Sequence, residues 1–146
     1  MSNGMMQSTK STKGTKGTKK MDGEIWHREE CYQIQGAVFD VYREMGFGFL
    51  EAVYQECLGN ELSKRGIPFV AHPELGLSYK GEPLRQTYIP DFVCHKAIIV
   101  ELKALAATTG EHKAQVLNYL KASKIRLGLL VNFGYHPKAT IERIVL

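Results

Sequence analysis

Cysteine is scarce in this chain of 146 residues. Cys31, Cys57 and Cys94 are odd in number and fit neither a disulfide framework nor the ligand spacing of a metal finger. Reduced thiols in a cytoplasm are the expectation that follows. No apolar run approaches the roughly 20 residues that a membrane-spanning helix needs, so no membrane partner is expected. The opening MSNGMMQSTK lacks the apolar segment of a secretory signal. Internal repeats are absent, and so is an excess of positive charge in the body of the chain. The formal charge of +4 arises from Lys10, Lys13, Lys16, Lys19 and Lys20, all before the first acid, Asp22, which leaves 14 basic residues against 15 acidic ones. A strongly basic groove is therefore not written into the composition.

What is present fits a globular protein: 44% hydrophobic and 10% aromatic residues, in a length that suits one domain with one core. The segment STKSTKGTKGTKK has low complexity and no periodic apolar residues. Residues 1–22 are therefore expected to be a disordered Lys/Thr/Gly-rich tail, and 23–146 the folded domain. Such a tail can solubilise, or attract phosphate chains without specificity.

Ile34, Val38, Val41 and Met45 recur at helical spacing and predict an amphipathic helix over about residues 25–45, ended by Gly46-Phe47-Gly48. Tyr54, Leu58 and Leu62 predict a second helix from about Leu50 to Arg65, with Gly66 and Pro68 beyond its end. Strands are expected at 67–71, 75–79, 84–94 and 97–103. A helix capped by Thr108 or Thr109 then runs to about Ser123, followed by a buried strand over 125–133 and a last strand over 140–145. This order predicts an α/β domain, a single mixed β-sheet flanked by helices.

The stretch YIPDFVCHKAIIVELKA, from Tyr88 to Ala104, places charges inside two apolar strands. Side chains alternate along a strand, so Glu101 and Lys103 share a face with Ile99, while Val100 and Leu102 point the other way. A three-residue hairpin loop at His95 to Ala97 brings Asp91 opposite Glu101; a two-residue turn puts it on the other face. Two carboxylates with a nearby ammonium suit phosphodiester hydrolysis. Oxygen ligands favour Mg²⁺ or Mn²⁺, and Lys103 can orient an attacking water and stabilise charge on the phosphoryl oxygens. The alternative is a buried salt bridge between Lys103 and one acid.

Glu51 opens the second helix and borders its core-facing stripe. It can complete a metal shell or hold a water, or simply complement the positive helix N-terminus. In the later helix His112, Gln115 and Tyr119 share one surface by their spacing. They are candidates for contacts with phosphate or base, or for hydrogen bonds at the core margin.

Gly48-Phe49-Leu50-Glu51-Ala52-Val53-Tyr54 matches the pattern GxxExxY, and the match continues through ECLGNEL, the Asp91 strand, IVELKA, AQVLNYLKAS and LGLLVNFG. In this the sequence resembles the GxxExxY proteins, a bacterial and archaeal family similar to the PD-(D/E)XK nuclease superfamily. Phe47 stands where that family often has proline, and Tyr42 where it has histidine. The resemblance implies a restriction-endonuclease-like core, metal binding by Asp91 and Glu101, a catalytic role for Lys103 and support from Glu51. Gln115-x-x-x-Tyr119 resembles a motif that follows the catalytic strand in exonuclease-like members. A metal-dependent nuclease acting on DNA is the expectation, with RNA and a homo-oligomer left open. A nucleic-acid-binding or regulatory module that cleaves little, and a protein-interaction domain, are the alternatives.

Overall fold

The computed structural model describes residues 26–146. The expected disordered tail therefore lies outside the described residues. Helix α1 spans Arg28–Met45 and buries Ile34, Ala37, Val38 and Val41 along one stripe. Helix α2 spans Glu51–Lys64 and buries Tyr54, Leu58 and Leu62. Both stripes have the 3.6-residue period that lets a helix hide one face and wet the other. The turn between them uses positive φ at Gly46 (73°) and Gly48 (111°), a backbone that residues with a Cβ adopt only under strain.

Seven strands follow: β1 (Phe69–Ala71), β2 (Leu75–Tyr79), β3 (Glu82–Tyr88), β4 (Phe92–Cys94), β5 (Ile98–Lys103), β6 (Leu127–Asn132) and β7 (Thr140–Val145), with α3 (Gly110–Ser123) between β5 and β6. Five of them form a mixed sheet in the order β1-β4-β5-β6-β7, in which β5 and β6 are parallel and every other pairing is antiparallel. The parallel pair needs a crossover, which α3 supplies.

The sheet has two buried faces. Ile98, Val100 and Leu102 join Leu127, Leu129 and Val131 beneath α1 and α2. On the opposite face Ile99 and Leu130 meet Val116 and Leu120 of α3. Each fully buried aliphatic side chain contributes about 1.5–3 kcal/mol, so both layers hold the central strands in place.

The strand expected over 84–94 is two strands. Chain direction changes at Ile89 and Pro90, where proline offers no N–H to a ladder. The first piece, β3, pairs with β2 as a separate two-stranded sheet. That hairpin contributes Leu75, Leu77 and Tyr88 to the cluster beneath α3. The second piece, β4, enters the main sheet.

Candidate active site

The β4–β5 hairpin pairs Phe92 with Val100, Val93 with Ile99 and Cys94 with Ile98, leaving His95, Lys96 and Ala97 as a three-residue loop. His95 and Lys96 both have positive φ, 54° and 59°, and the Ala97 N–H donates to the Cys94 carbonyl at 3.0 Å. One residue before Phe92, this register sets Asp91 across from Glu101. The two are tied through the backbone: the Asp91 N–H donates to Glu101 Oε1 at 3.0 Å, and Asp91 Oδ2 accepts the Leu102 N–H at 2.8 Å.

Burial, reinforced by the Asp91 charge, pushes the Glu101 carboxyl up from 4.5 to about 7. The field of Lys103 and the hydrogen bond from the Asp91 amide oppose this rise without cancelling it. No ion pair within 4 Å joins Lys103 to Asp91, Glu101 or Glu51 among the described residues, so the salt-bridge alternative does not describe this site. Glu51 arrives from α2, the layer on the other side of the sheet, and its side chain is exposed. Desolvation raises its carboxyl, while Lys103 lowers it and Asp91 raises it, so it shares the field of the hairpin charges.

Two loop clamps hold this end of the sheet. The Tyr54 hydroxyl donates to the Gly46 carbonyl at 2.5 Å and accepts the Phe49 N–H at 3.2 Å, fixing the turn that delivers Glu51. The same ring stacks on Phe133 at 4.5 Å, and the Phe133 N–H donates to the Lys103 carbonyl at 2.8 Å. Asn132, 1% exposed, accepts the N–H groups of Leu105 and Gly134 at 3.0 Å each and donates to the Leu105 carbonyl at 2.9 Å. Gly134 is required here, because a Cβ would lie 2.4 Å from the Leu105 nitrogen.

The residues expected on α3 divide. His112 is turned to its own helix end, where Nδ1 accepts the Thr109 N–H at 2.9 Å. Tyr119 stacks on Tyr88 with ring centroids 3.8 Å apart. Gln115 lines an open groove with Leu77, Asn118 and Tyr119 and has no hydrogen bond to Asp91 or Glu101.

Three neighbours of the acids were not singled out from sequence. Tyr88, 6% exposed, sits in the field of Glu101, but its hydroxyl has no partner at hydrogen-bonding geometry. The His72 N–H donates to the Asp91 carbonyl at 2.9 Å, and its Nε2 lies 3.9 Å from Asp91 Oδ1. Gln55 Nε2 contacts that imidazole at 2.5 Å. The position of Gln55, one turn after Glu51 on α2, is a signal the sequence carried that went unused.

The model of one family, described as the PD-(D/E)XK nuclease superfamily, matches residues 28–144. The chain belongs to that superfamily. Comparison with curated proteins and with solved structures gives no significant match. PD-(D/E)XK nucleases generally use divalent metals, and the donor chemistry here fits one: two carboxylates, oxygen ligands only, with no lysine or arginine ion pair to either among the described residues. Among the described residues no group of three or more His, Cys, Asp or Glu side chains converges on one point. Asp91 and Glu101 are the residues that could hold such an ion. None of this superfamily member's described helices is long and apolar enough to cross a membrane.

Proposed function

We propose that this protein is a Mg²⁺- or Mn²⁺-dependent phosphodiesterase of the cytoplasm that hydrolyses nucleic acid, with DNA the expected polymer and RNA the competing one. The observation that supports the reading best is the pairing of Asp91 with Glu101, locked by backbone hydrogen bonds at 3.0 and 2.8 Å beside a lysine that neither acid pairs with. Groups held together against their own repulsion mark a site built for something other than stability.

A bound divalent cation supplies Lewis acidity at the scissile phosphate. Asp91 and Glu101 would hold it, through carboxylate oxygens that their hydrogen bonds already orient. Glu101 would give up its proton to solvent in order to serve as a ligand. Lys103, on the same strand face, donates hydrogen bonds to the attacking water and to the phosphoryl oxygens on which charge grows. Glu51 orients water from the α2 side.

The balance of 14 basic and 15 acidic residues after Lys20 favours one rival, a nucleic-acid-binding module that cleaves little. Incubation of single- and double-stranded DNA and RNA with Mg²⁺ or Mn²⁺ separates the two. Metal-dependent cleavage that Glu101→Gln abolishes is the expected outcome; binding without cleavage by the parent protein would replace the nuclease reading with its rival.

A further inference from the structure

Beside the Lys103 end of the sheet lies a cleft that the chemistry above does not use. It has a volume of about 570 Å³, with Phe39, Tyr42 and Phe47 on its apolar wall and Arg43, His136 and Lys138 on its polar one. Phe47 is 53% exposed and packs against the His136 ring at 4.7 Å. Phe49, Leu50 and Tyr135 are also exposed in the same two loops.

The walls are braced rather than loose. The Tyr42 hydroxyl donates to the Tyr135 carbonyl at 2.9 Å, joining the end of α1 to the loop after β6. Tyr54 fixes Gly46 and stacks on Phe133, whose N–H holds the Lys103 carbonyl. The cleft and the Lys103 end of β5 are thus anchored by one buried aromatic pair.

We propose that this cleft holds an unpaired nucleotide next to the scissile phosphate, its base stacked on Phe47 and its phosphate drawn by Lys138, since Arg43 is already paired with Asp40. The proposal rests on the nuclease reading and adds the substrate class: single-stranded nucleic acid, or a strand end or flap. Aromatic faces accept bases only once those bases are unstacked, and a duplex keeps them covered. A duplex-binding surface would instead carry a long basic stripe, and residues 26–146, with 14 basic and 13 acidic residues, have little charge excess to build one. Lys138 within the aromatic surface distinguishes it from an interface between two copies of the chain, whose centre is depleted of lysine.

The test measures binding of a short single strand carrying 2-aminopurine, and of its duplex, to the full-length Lys103→Ala protein in Mg²⁺. Expected are quenching by stacking, preference for the single strand, and roughly 5- to 150-fold weaker single-strand binding when Phe47→Ala is added. Lys138→Ala should reduce the salt slope of binding by about one. Unchanged single-strand affinity in the Phe47→Ala protein, or equal affinity for duplex, overturns the proposal. So does a dimer in sedimentation that Phe47→Ala dissociates while oligonucleotide affinity stays put. If the parent protein cleaves yet Phe47→Ala binds normally, the cleft fails and the nuclease reading stands. If stacking is seen and the parent never cleaves, the nuclease reading fails and the cleft stands.

Discussion

The amide of Asp91 donates to the carboxylate of Glu101 at 3.0 Å, across a hairpin whose three-residue loop puts the two acids in register. Glu101 therefore sits where burial and its neighbour's charge oppose its ionisation, and Lys103 moderates the conflict without forming an ion pair. That arrangement makes the roles of the three groups separable by mutation.

Lys103→Ala should leave the protein folded and able to bind metal and nucleic acid, because no ion pair to Asp91 or Glu101 is broken. Its cleavage rate should fall by about 10²- to 10³-fold, the loss typical of removing one group that stabilises transition-state charge. Thermal unfolding, calorimetric metal titration and single-turnover cleavage on the same variant check this. Removing one partner of a buried ion pair would instead destabilise by about 3–5 kcal/mol.

The raised Glu101 carboxyl has a definite linkage sign. Between 4.5, its ordinary value, and about 7, its value in the folded protein, the folded state holds a proton that the unfolded state has released. Stability from this group is complete below 4.5 and lost as pH rises through 7, on the order of 3 kcal/mol in total. His95, which burial pushes down, acts in the opposite direction. The difference between parent and Glu101→Gln cancels that background. Metal-free denaturation from pH 4 to 8 should show Glu101→Gln gaining on the parent as pH rises; a pH-independent difference would remove the shift.

Metal binding should liberate that proton. Titration with Mn²⁺ at pH 6.5 in buffers of different ionisation enthalpy should show net proton release, with affinity rising toward pH 8 and the thermal midpoint rising with metal concentration. Proton release that persists at full size in Glu101→Gln would assign it to another group.

Asn132→Ala leaves the amides of Leu105 and Gly134 and the Leu105 carbonyl without their partner, and should destabilise by about 2–4 kcal/mol. Gly134→Ala should also destabilise, since its Cβ meets backbone rather than a yielding side chain. Urea denaturation measures both.

Two tyrosines should behave oppositely when reduced to phenylalanine. Tyr54→Phe loses a hydroxyl that holds the Gly46–Phe49 turn and should destabilise by about 1 kcal/mol. Tyr88→Phe removes a buried hydroxyl that has no partner, and should be neutral or slightly stabilising in the metal-free protein. A Tyr88→Phe protein less stable than Tyr54→Phe would contradict the geometry of both.

The elements that were legible in the sequence are those governed by local periodicity. Ile34, Val38 and Val41 define α1 and Tyr54, Leu58 and Leu62 define α2, because a helix with one buried stripe must repeat its apolar residues at that spacing. Alternation in IIVELK assigns Glu101 and Lys103 to one face, whereas the loop length that carries Asp91 to the same register was left open by the sequence and decided by the structure. Tertiary structure alone decided the rest. Whether Leu75–Tyr79 and Glu82–Tyr88 join the main sheet or form their own depends on Pro90 and on the α3 surface they cover, not on their own alternation. His112 reads by its spacing as sharing one face with Gln115 and Tyr119, yet its ring is engaged by Thr109 at the helix end. The rise of the Glu101 carboxyl, the unpaired Tyr88 hydroxyl and the approach of His72 to Asp91 all depend on distances between groups far apart in the chain. Periodicity states which side of an element is hidden; only packing determines which charges then meet, and how much water remains between them.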